Sequence, residues 1–348
     1  MSNCEHWTKE PGARLAGNRD LDRFKVQAPC VVPLPGGGFR MFYTAVGPGK
    51  PFPACQGYIL SAVSDDGLNF RADPGIRLAP NPSVATRALR VLAPSIARCP
   101  DGRWRMYVET RGTAAEPTVI ASAISTDMLH WEFEAGVRVQ TPGGVGGPRF
   151  LTLPDGRGRL YCIRSDYGPA GVASGKRLSS HVISAITTDG LRFEIETGVR
   201  LADRQRDFDS AGITAAEVLP PDGLEDLWRM YYSAWQECPS GMAVPVHPSH
   251  DSAAVANGRS DDFAAQSIAS DMSGYRSRIF EARSPDGLTW NTAGCVIEGT
   301  GYGADGLDAV HAEDMSLVDL GAGGRRMYYA ACDREGVWRI ASAFCADQ

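Results

Sequence analysis

Short runs of alternating apolar and polar residues recur along the chain, and each run stops at a turn rich in Gly or Asp. Four segments share the pattern Ser/Thr-x-Asp-x-Leu-x-aromatic: SDDGLNF (64–70), STDMLHW (125–131), TTDGLRF (187–193) and SPDGLTW (284–290). Five apolar runs, from FRMFYTAV to RRMYYAAC, accompany them. Such alternation between Asp-Gly turns is typical of short antiparallel strands, so the pattern predicts an all-β chain.

The units repeat at a nearly constant spacing. The aromatic residues that end the four motifs are 61, 62 and 97 residues apart. A fifth unit is divided between the chain ends, because HWTKEPGARL (6–15) matches HWEFEAGVRV (130–139) in register. A closed ring explains this division, since a strand from one end can complete the last sheet. We therefore predict a five-bladed β-propeller whose last blade is closed by the N-terminal strand. The alternative, a β-sandwich, is disfavoured by the regular units.

The repeated motif has a structural explanation. Asp-Gly fits a tight turn, the Ser or Thr caps it, and the aromatic side chain packs between neighbouring blades. Trp7, Trp131 and Trp290 are therefore predicted to be core residues rather than platforms for a sugar.

Long connections follow the second and fourth strands of the predicted blades, which places them on one face of the ring. Long loops gathered on one side of a rigid scaffold are where binding residues concentrate. The longest is an insertion in the fourth blade at about 236–276, rich in Ala, Ser, Asp and Gly, which is either a lid or a decoration. We expect a single domain over residues 1–348 that carries this insertion.

Polar residues stand at the starts of the predicted inner strands and at the ends of the second strands, and small apolar residues are the norm on inner strands. A charge near the axis of a ring is costly unless it is paired, which favours a functional role. The candidates for catalysis are Glu313, Asp209, Glu217 and Asp314. The candidates for substrate binding are Asp22, Lys25, Arg87, Arg90, Glu109, Arg149, Arg164, Asp166, His181, Trp235 and His311. Alternatively, Asp22 caps a loop, and Arg87 and Arg90 form structural ion pairs.

The Glu-Asp pair of the last unit is the strongest candidate. Aligning HAEDMSLV with VQAPCVVP and VLAPSIAR puts Glu313 and Asp314 where other units carry Ala-Pro. Neighbouring side chains on a strand point to opposite sides, so at most one of the two faces the axis squarely. The alignment of Glu313 with Ala28 and Ala93 predicts that Glu313 faces the cavity and that Asp314 orients a neighbour or caps the strand.

Composition narrows the class of protein. The net charge of −6 argues against a nucleic-acid partner, no apolar run is long enough to span a membrane, and nine cysteines occur without a CxxC pair. We therefore expect a cytoplasmic protein that acts on a small molecule or saccharide; its oligomeric state is open. No cofactor is predicted, although a central metal ion bound by His311, Asp308, Asp314 and His181 is an alternative.

The S-x-D-G-L-x-W turn, the RMYY strands and the APS-I strand resemble the five-bladed propeller glycosidases. These include arabinanases and β-xylosidases, invertases and levansucrases, and mannoside phosphorylases. The resemblance implies a glycoside-active enzyme in which one inner-strand carboxylate is the base or nucleophile and another protonates the leaving oxygen. The sequence departs from the arabinanase-like pattern at Ala28-Pro29, where those enzymes carry Asp-Pro.

Several activities remain open at this point. The leading hypothesis is a glycoside hydrolase. A phosphorylase is a variant, in which Lys25, Arg87, Arg90 and Arg149 would bind phosphate. A lyase or isomerase would use His311 with Glu313 or Asp314 as an acid–base pair. A non-catalytic carbohydrate-binding propeller is less well supported, because the polar residues differ from blade to blade.

Overall fold

The structure, a computed structural model, describes residues 6–23, 25–46, 56–112, 116–165, 180–202, 212–221, 226–237, 275–299 and 305–346. Regular structure in these ranges is β-strand, apart from single turns of 3-10 helix at Ala85–Arg87 and Gly321–Gly323. No helix in the described ranges is long and apolar enough to cross a membrane. The all-β prediction is confirmed, whereas most of the predicted insertion (238–274) lies outside the described residues.

The strands form antiparallel groups that follow one another along the chain. Two short strands come first: β1 (Thr8–Lys9) and β2 (Leu15–Ala16). Group 1 contains β3 (Lys25–Pro33), β4 (Phe39–Val46), β5 (Gly57–Ser64) and β6 (Arg71–Ala72). Group 2 contains β7 (Arg90–Arg98), β8 (Trp104–Arg111), β9 (Val119–Ser125) and β10 (Glu132–Phe133). Group 3 contains β11 (Val145–Thr152), β12 (Gly158–Ser165), β13 (Ser180–Thr187) and β14 (Glu194–Ile195).

The remaining strands make two further groups. Group 4 contains β15 (Gly212–Leu219), β16 (Trp228–Glu237), β17 (Tyr275–Ser284) and β18 (Asn291–Ile297). Group 5 contains β19 (His311–Asp319), β20 (Arg325–Cys332) and β21 (Trp338–Cys345). The N-terminal strands β1 and β2 both pair with β21, Thr8 opposite Phe344 and Leu15 opposite Ile340. The predicted pairing between the two chain ends is therefore present.

Aromatic contacts connect each group to the next. A ring on the second strand of every group packs edge to face on the motif aromatic of the following group, with centroids 5.6 to 6.3 Å apart. The pairs are Phe42–Trp131, Tyr107–Phe193, Tyr161–Trp290, Tyr231–Trp7 and Tyr328–Phe70. They lead from group 1 through group 5 and back to group 1. The predicted packing role of the motif aromatics is confirmed, because edge-to-face pairs of this kind stabilise a core.

The first strand of each group, which we call its inner strand, contacts the inner strands of two other groups. β3 contacts β7 and β19, β11 contacts β7 and β15, and β15 contacts β19. The inner strands therefore surround a common axis. Each of them contains a bulge, where one extra residue interrupts the pairing with the second strand. Bulges change the direction of side chains and are common beside active sites, so the residues at these bulges are candidates for the site.

Candidate functional site

The bulge in β19 presents Asp314, not Glu313, at the position that Ala28 and Ala93 occupy in groups 1 and 2. All three residues have a left-handed backbone, with φ of 54°, 47° and 49° respectively. The amide N–H of Asp314 donates to Ser233 Oγ at 3.3 Å, just as that of Ala93 donates to Thr44 Oγ1 at 2.8 Å. The sequence alignment of Glu313 with Ala28 and Ala93 is therefore wrong by one residue. The shared left-handed backbone shows that Asp314 is equivalent to Ala28 and Ala93. The Ala-Pro sequence alone does not show this.

Asp314 is a buried carboxyl group at this bulge. Burial and the neighbouring Glu313 carboxylate raise the pKa of Asp314 to about 8, against the lowering effects of Arg149 and Lys25. The charge of Glu109 also contributes to the rise, so Glu109 lies within electrostatic reach of Asp314. Asp314 thus keeps its proton at neutral pH, as a general acid requires.

Glu313 is 5% exposed. Trp235 Nε1 on β16 donates to Glu313 Oε2 at 3.2 Å. Burial raises the pKa of Glu313, while the charge of Lys25 and the side chains of Ser277 and Trp235 oppose the rise.

Glu109 enters from β8 of group 2. Its Oε2 accepts a hydrogen bond from the amide of Gly147 at 3.0 Å, and its Oε1 accepts one from Arg111 Nε at 2.5 Å. A Cβ atom at Gly146 would lie 2.1 Å from Glu109 Oε2, so only glycine leaves room for the carboxylate. Gly146, which stands where groups 1 and 2 have Gln27 and Leu92, is thus what admits Glu109 to the site.

Arg149 and Glu217 occupy the axis on the far side of the bulges. Arg149 is 5% exposed, and its Nε donates to Glu217 Oε2 at 2.8 Å. The other guanidinium N–H groups donate, at 3.0 to 3.5 Å, to the carbonyl oxygens of Pro29, Pro94, Pro148 and Met315. One guanidinium therefore contacts all of the inner strands β3, β7, β11, β15 and β19. Burial raises the pKa of Glu217, and Arg149 counteracts this effect.

His311 and Lys25 lie behind the acidic pair, against Trp338. The His311 ring is stacked on the Trp338 ring with centroids 5.2 Å apart, and Lys25 Nζ is 4.1 Å from the Trp338 centroid. His311 is 1% exposed, and its Nδ1 is 3.1 Å from Ser277 Oγ. The predicted site residues Lys25 and His311 are therefore near Glu313, but they are covered by protein.

Two other predicted binding residues lie away from this cluster. Asp22 accepts hydrogen bonds from the amides of Asn18 and Arg19 and from the Tyr43 hydroxyl, so it caps its own loop. The Arg87 guanidinium lies over the ring of Phe133, 3.9 Å from its centroid, on the outermost strand of group 2. The structure brings neither side chain to the axis. The loop-capping alternative fits Asp22, whereas Arg87 packs on an aromatic ring rather than in the structural ion pair that the sequence analysis allowed.

Some of the remaining candidates lie at the edge of the site, and others fall outside the residues that the structure describes. Arg90 is 1% exposed at the start of β7, beside Gly57. Arg164 Nε donates to His181 Nε2 at 2.9 Å, which makes these two side chains a pair on β12 and β13. Asp166 and Asp209 lie outside the described residues.

The alternative metal site is not assembled in the part of the chain that the structure describes. No group of three or more His, Cys, Asp and Glu side chains is arranged there to hold an ion. Asp308 instead accepts a hydrogen bond from the Tyr329 hydroxyl at 3.0 Å and pairs with Lys9 at 2.7 Å. His181 is engaged with Arg164.

Sequence reasoning missed Ser277, Trp338 and Gly146. Ser277 is the third residue of β17 and belongs to no motif; only its pairing with His311 in the parallel contact between β17 and β19 shows its relevance. Trp338 reads as an ordinary core residue. Gly146 could have been found, because the residue before the Ala-Pro of two other inner strands carries a long side chain, Gln27 or Leu92.

No family model and no curated protein sequence matches the chain. Solved structures do match it. A structure described as a glycoside hydrolase has a TM-score of 0.67 and 14% identity, and the match covers 98% of this chain and 93% of that one. One titled for glycoside hydrolases of the GH130 mannoside phosphorylase family that target β-1,2 mannosidic linkages in Candida mannan has a TM-score of 0.64 and 12% identity, covering 99% and 96%.

An endo-arabinase from Bacteroides thetaiotaomicron is also similar, with a TM-score of 0.61 and 9% identity, covering 97% of this chain and 98% of that one. At these identities the likeness concerns the fold. The chain shares the all-β fold of the β-propeller glycoside hydrolases.

Proposed function

We propose that the protein is a glycoside hydrolase whose proton donor is Asp314 and whose second carboxylate is Glu109. The observation that carries this proposal is that the left-handed bulge of an inner strand presents the buried carboxyl of Asp314, whose pKa is raised by burial and by Glu313 and which also responds to the charge of Glu109. Glycoside hydrolysis needs such a pair, because one carboxyl must protonate the leaving oxygen while the other, ionised, acts as base or nucleophile.

The arrangement of the strands supports a placement of the two groups on opposite sides of a substrate. The cyclic aromatic contacts and the contacts of Arg149 support a closed five-bladed ring. In that ring group 5, which carries Asp314, is adjacent to groups 4 and 1. Glu109 belongs to group 2 and reaches to the Gly147 amide of group 3. The two carboxyl groups then face each other across the axis.

The two carboxyl groups have different environments, as is required when one donates a proton and the other acts as an anion. Asp314 is adjacent to the negative charge of Glu313, which favours its protonated form. Glu109 is paired with Arg111 and receives an amide hydrogen bond, so its negative charge has dedicated partners. Asp314 therefore supplies the proton, and Glu109 supplies the charge that activates water or stabilises the oxocarbenium-like transition state.

The side chains that were predicted to bind phosphate have other partners in the structure, which favours hydrolysis over phosphorolysis. Every N–H of the Arg149 guanidinium is directed at Glu217 or at a backbone carbonyl, so this side chain has no donor left for phosphate. Arg87 is packed on Phe133, and Lys25 on Trp338. A lyase based on His311 is disfavoured because that ring is 1% exposed behind Glu313.

Arg149 closes one end of the central axis, which implies that a substrate enters from the other end. Arg149 fills the axis beyond the bulges, so a sugar bound at Asp314 approaches from the face that carries the long connections. The structural neighbours include one titled for β-1,2 mannosidic linkages and an endo-arabinase, which supports a saccharide substrate.

The test is a screen of 4-nitrophenyl glycosides of common hexoses and pentoses, each with and without inorganic phosphate. We expect release of nitrophenol from at least one glycoside at a rate that phosphate does not change. Asp314→Asn should lower the rate of this release by about 10² or more. Turnover that requires phosphate would refute the hydrolase assignment, and the absence of turnover on aryl glycosides and on mannan or arabinan oligosaccharides would refute the proposed function as a whole.

A further inference from the structure

A buried guanidinium in group 4 has one edge that no protein acceptor uses. The Arg278 side chain on β17 is 0% exposed, and its Nη1 donates to the carbonyl oxygens of Ser277 at 2.7 Å and Val310 at 3.1 Å. Its Nε and Nη2 are buried as well, and no acceptor among the described residues lies within hydrogen-bond distance of either atom. The N–H groups of Nη1 are thus used, and those of Nε and Nη2 remain. Buried donors of a charged group are costly unless they are paired.

Other arginines in this chain use the same edge to bind a carboxylate. The N–H groups of Nε and Nη2 point in the same direction and match two oxygens of a carboxylate or phosphate. On the second strands of groups 2, 3 and 5, an arginine donates through both atoms to both oxygens of a glutamate, at 2.8 to 3.1 Å. The pairs are Arg105–Glu134, Arg159–Glu196 and Arg326–Glu10. The nearest carboxylate oxygen that pairs with Arg278, Glu298 Oε1, is 3.8 Å from Nε, and the Glu298 side chain is 64% exposed. This distance is too long for a hydrogen bond.

Group 5 has an arginine at the equivalent position, and there the chain supplies a partner. Arg339 of β21 lies opposite an alanine of the second strand, as Arg278 does. Arg339 Nη1 is 2.5 Å from Asp333 Oδ2, and its side chain is 27% exposed. Arg278 is buried more deeply, and among the described residues it has no carboxylate at such a distance. An unpaired guanidinium at this position is therefore not a requirement of the fold.

A second arginine adds positive charge beside the first. Arg276 comes two residues before Arg278, so the two side chains lie on the same side of β17. Its Nε is also buried and has no acceptor among the described residues. Burial and the charge of Arg276 lower the pKa of Arg278, whereas the charges of Glu298 and Asp308 act in the opposite direction. Two neighbouring cations with unused donors attract an anion.

The backbone near Arg278 restricts what can bind there. A Cβ atom at Gly299 would lie 2.8 Å from Arg278 Cζ and 2.7 Å from the carbonyl oxygen of Asp308. The chain at Gly299 therefore passes directly against the guanidinium, and a ring cannot stack on that side of it. This arrangement favours a compact group that binds at the Nε–Nη2 edge.

We propose that Arg278 and Arg276 form a binding site for a compact oxyanion, two oxygens of which accept hydrogen bonds from Nε and Nη2 of Arg278. Phosphate, sulfate and carboxylate share this chemistry, so the occupant is either a free inorganic anion or the acidic group of a saccharide. The site involves neither Asp314 nor Glu109. The inference therefore stands apart from the proposed hydrolase activity.

The test is thermal unfolding at neutral pH in sodium chloride and in sodium phosphate of equal ionic strength. The wild-type protein should unfold at least about 2 °C higher in about 20 mM phosphate, the size expected when a ligand is present at about ten times its Kd. Arg278→Met should lose this rise. The matched control is Arg339→Met, which removes the equivalent arginine of group 5 and should keep the rise. Comparison of each variant with itself in the two salts cancels its own change in stability.

Glu298→Gln is a second variant, and it leaves Arg278 in place. It removes the negative charge that competes with an added anion, so the rise in Tm with phosphate should be larger than in the wild type. Sodium sulfate, sodium glucuronate and glucose are then compared at the same concentration. Glucose should have no effect. A larger rise with glucuronate than with phosphate and sulfate assigns the site to an acidic saccharide, and the reverse order assigns it to a free anion.

Two results would overturn the proposal. One is an equal rise in the wild type and Arg278→Met, because phosphate and sulfate also stabilise proteins without a specific site. The other is the absence of any rise with phosphate, sulfate and glucuronate. If Arg278→Met does not fold, a rise in Glu298→Gln no larger than that of the wild type would overturn the proposal instead. None of these results depends on turnover, so they leave the proposed function to its own test.

Discussion

The guanidinium of Arg149 donates from Nε to the Glu217 carboxylate at 2.8 Å, at the axis around which the inner strands are arranged. Both residues follow the bulge in their strands and lie opposite equivalent tyrosines of the second strands, Tyr161 and Tyr231. The pair therefore belongs to the structural layer beyond the candidate site. Sequence reasoning placed Arg149 in substrate binding and Glu217 in catalysis, and in the structure these two side chains are bound to each other.

Arg149→Met should destabilise the fold strongly. Removal of one partner from a buried ion pair typically costs about 3–5 kcal/mol, because the remaining charge is left buried without compensation. Urea unfolding followed by tryptophan fluorescence measures the change. The control is Arg157→Met, which breaks the exposed pair with Asp155 at the surface and should leave the unfolding midpoint unchanged within error. Similar midpoints for the two variants would contradict the role of Arg149.

Glu217→Gln should retain turnover close to that of the wild type in the folded protein. The Glu217 carboxylate is committed to Arg149, and a glutamine oxygen can still accept that hydrogen bond. Glu109→Gln should instead lower kcat by about 10² or more, the usual scale for loss of a catalytic carboxylate. Steady-state kinetics on the same glycoside compare the two. The reverse order of effects would move the chemistry to group 4.

Gly146→Ala should lower activity while the protein stays folded. The new Cβ would collide with Glu109 Oε2 at 2.1 Å, so the carboxylate must move, whereas the backbone of Gly146 is outside the left-handed region and tolerates alanine. We expect a fall in kcat of at least about tenfold, since small displacements of catalytic groups have effects of this order. Gly36→Ala is the control, because its Cβ would meet nothing within 4 Å. Equal activity of both variants would show that Glu109 is not needed where it lies.

Asp314→Asn should stabilise the protein, and the gain should depend on pH. The folded-state pKa of Asp314 is raised to about 8, above the unfolded value of about 3.9, so ionisation of this group favours the unfolded state. The free-energy cost of keeping Asp314 in the folded state is absent below about pH 4, grows as the pH rises toward 8, and is constant above that. Thermal unfolding of wild type and variant at about pH 4, 6, 8 and 9 measures this. A difference in Tm that is the same at every pH would contradict the raised pKa.

The sequence was sufficient for the scaffold because the scaffold is repetitive. The motif aromatics, the paired second strands and the match between residues 6–15 and 130–139 each recur, and recurrence distinguishes structural residues from the rest. The site was harder to predict, because it depends on features that do not repeat. The left-handed backbone at Asp314 shifted the alignment by one residue. The groups that act on Glu313 come from strands that are distant in sequence, such as Trp235 and Lys25.

The charged residues show why residue type and position in the sequence are insufficient to predict which side chains bind substrate. Asp22, Arg87 and Arg149 are predicted from the sequence to bind substrate because polar residues near an axis are unusual. The structure engages them with a loop, an aromatic ring and backbone carbonyls respectively. A count of the donors and acceptors that a side chain has already used is needed to separate structural charges from functional ones, and that count requires the three-dimensional structure.

The most direct test of the central claim is the pH dependence of kcat/KM for wild type and Asp314→Asn on the same aryl glycoside. If Asp314 donates the proton, the wild-type rate should fall on the alkaline side with an apparent pKa near 8, because the donor loses its proton there. Asp314→Asn should be slower by about 10² or more and should lack this alkaline limb. An Asp314→Asn variant that retains both the wild-type rate and the limb near pH 8 would contradict the assignment of Asp314 as the proton donor.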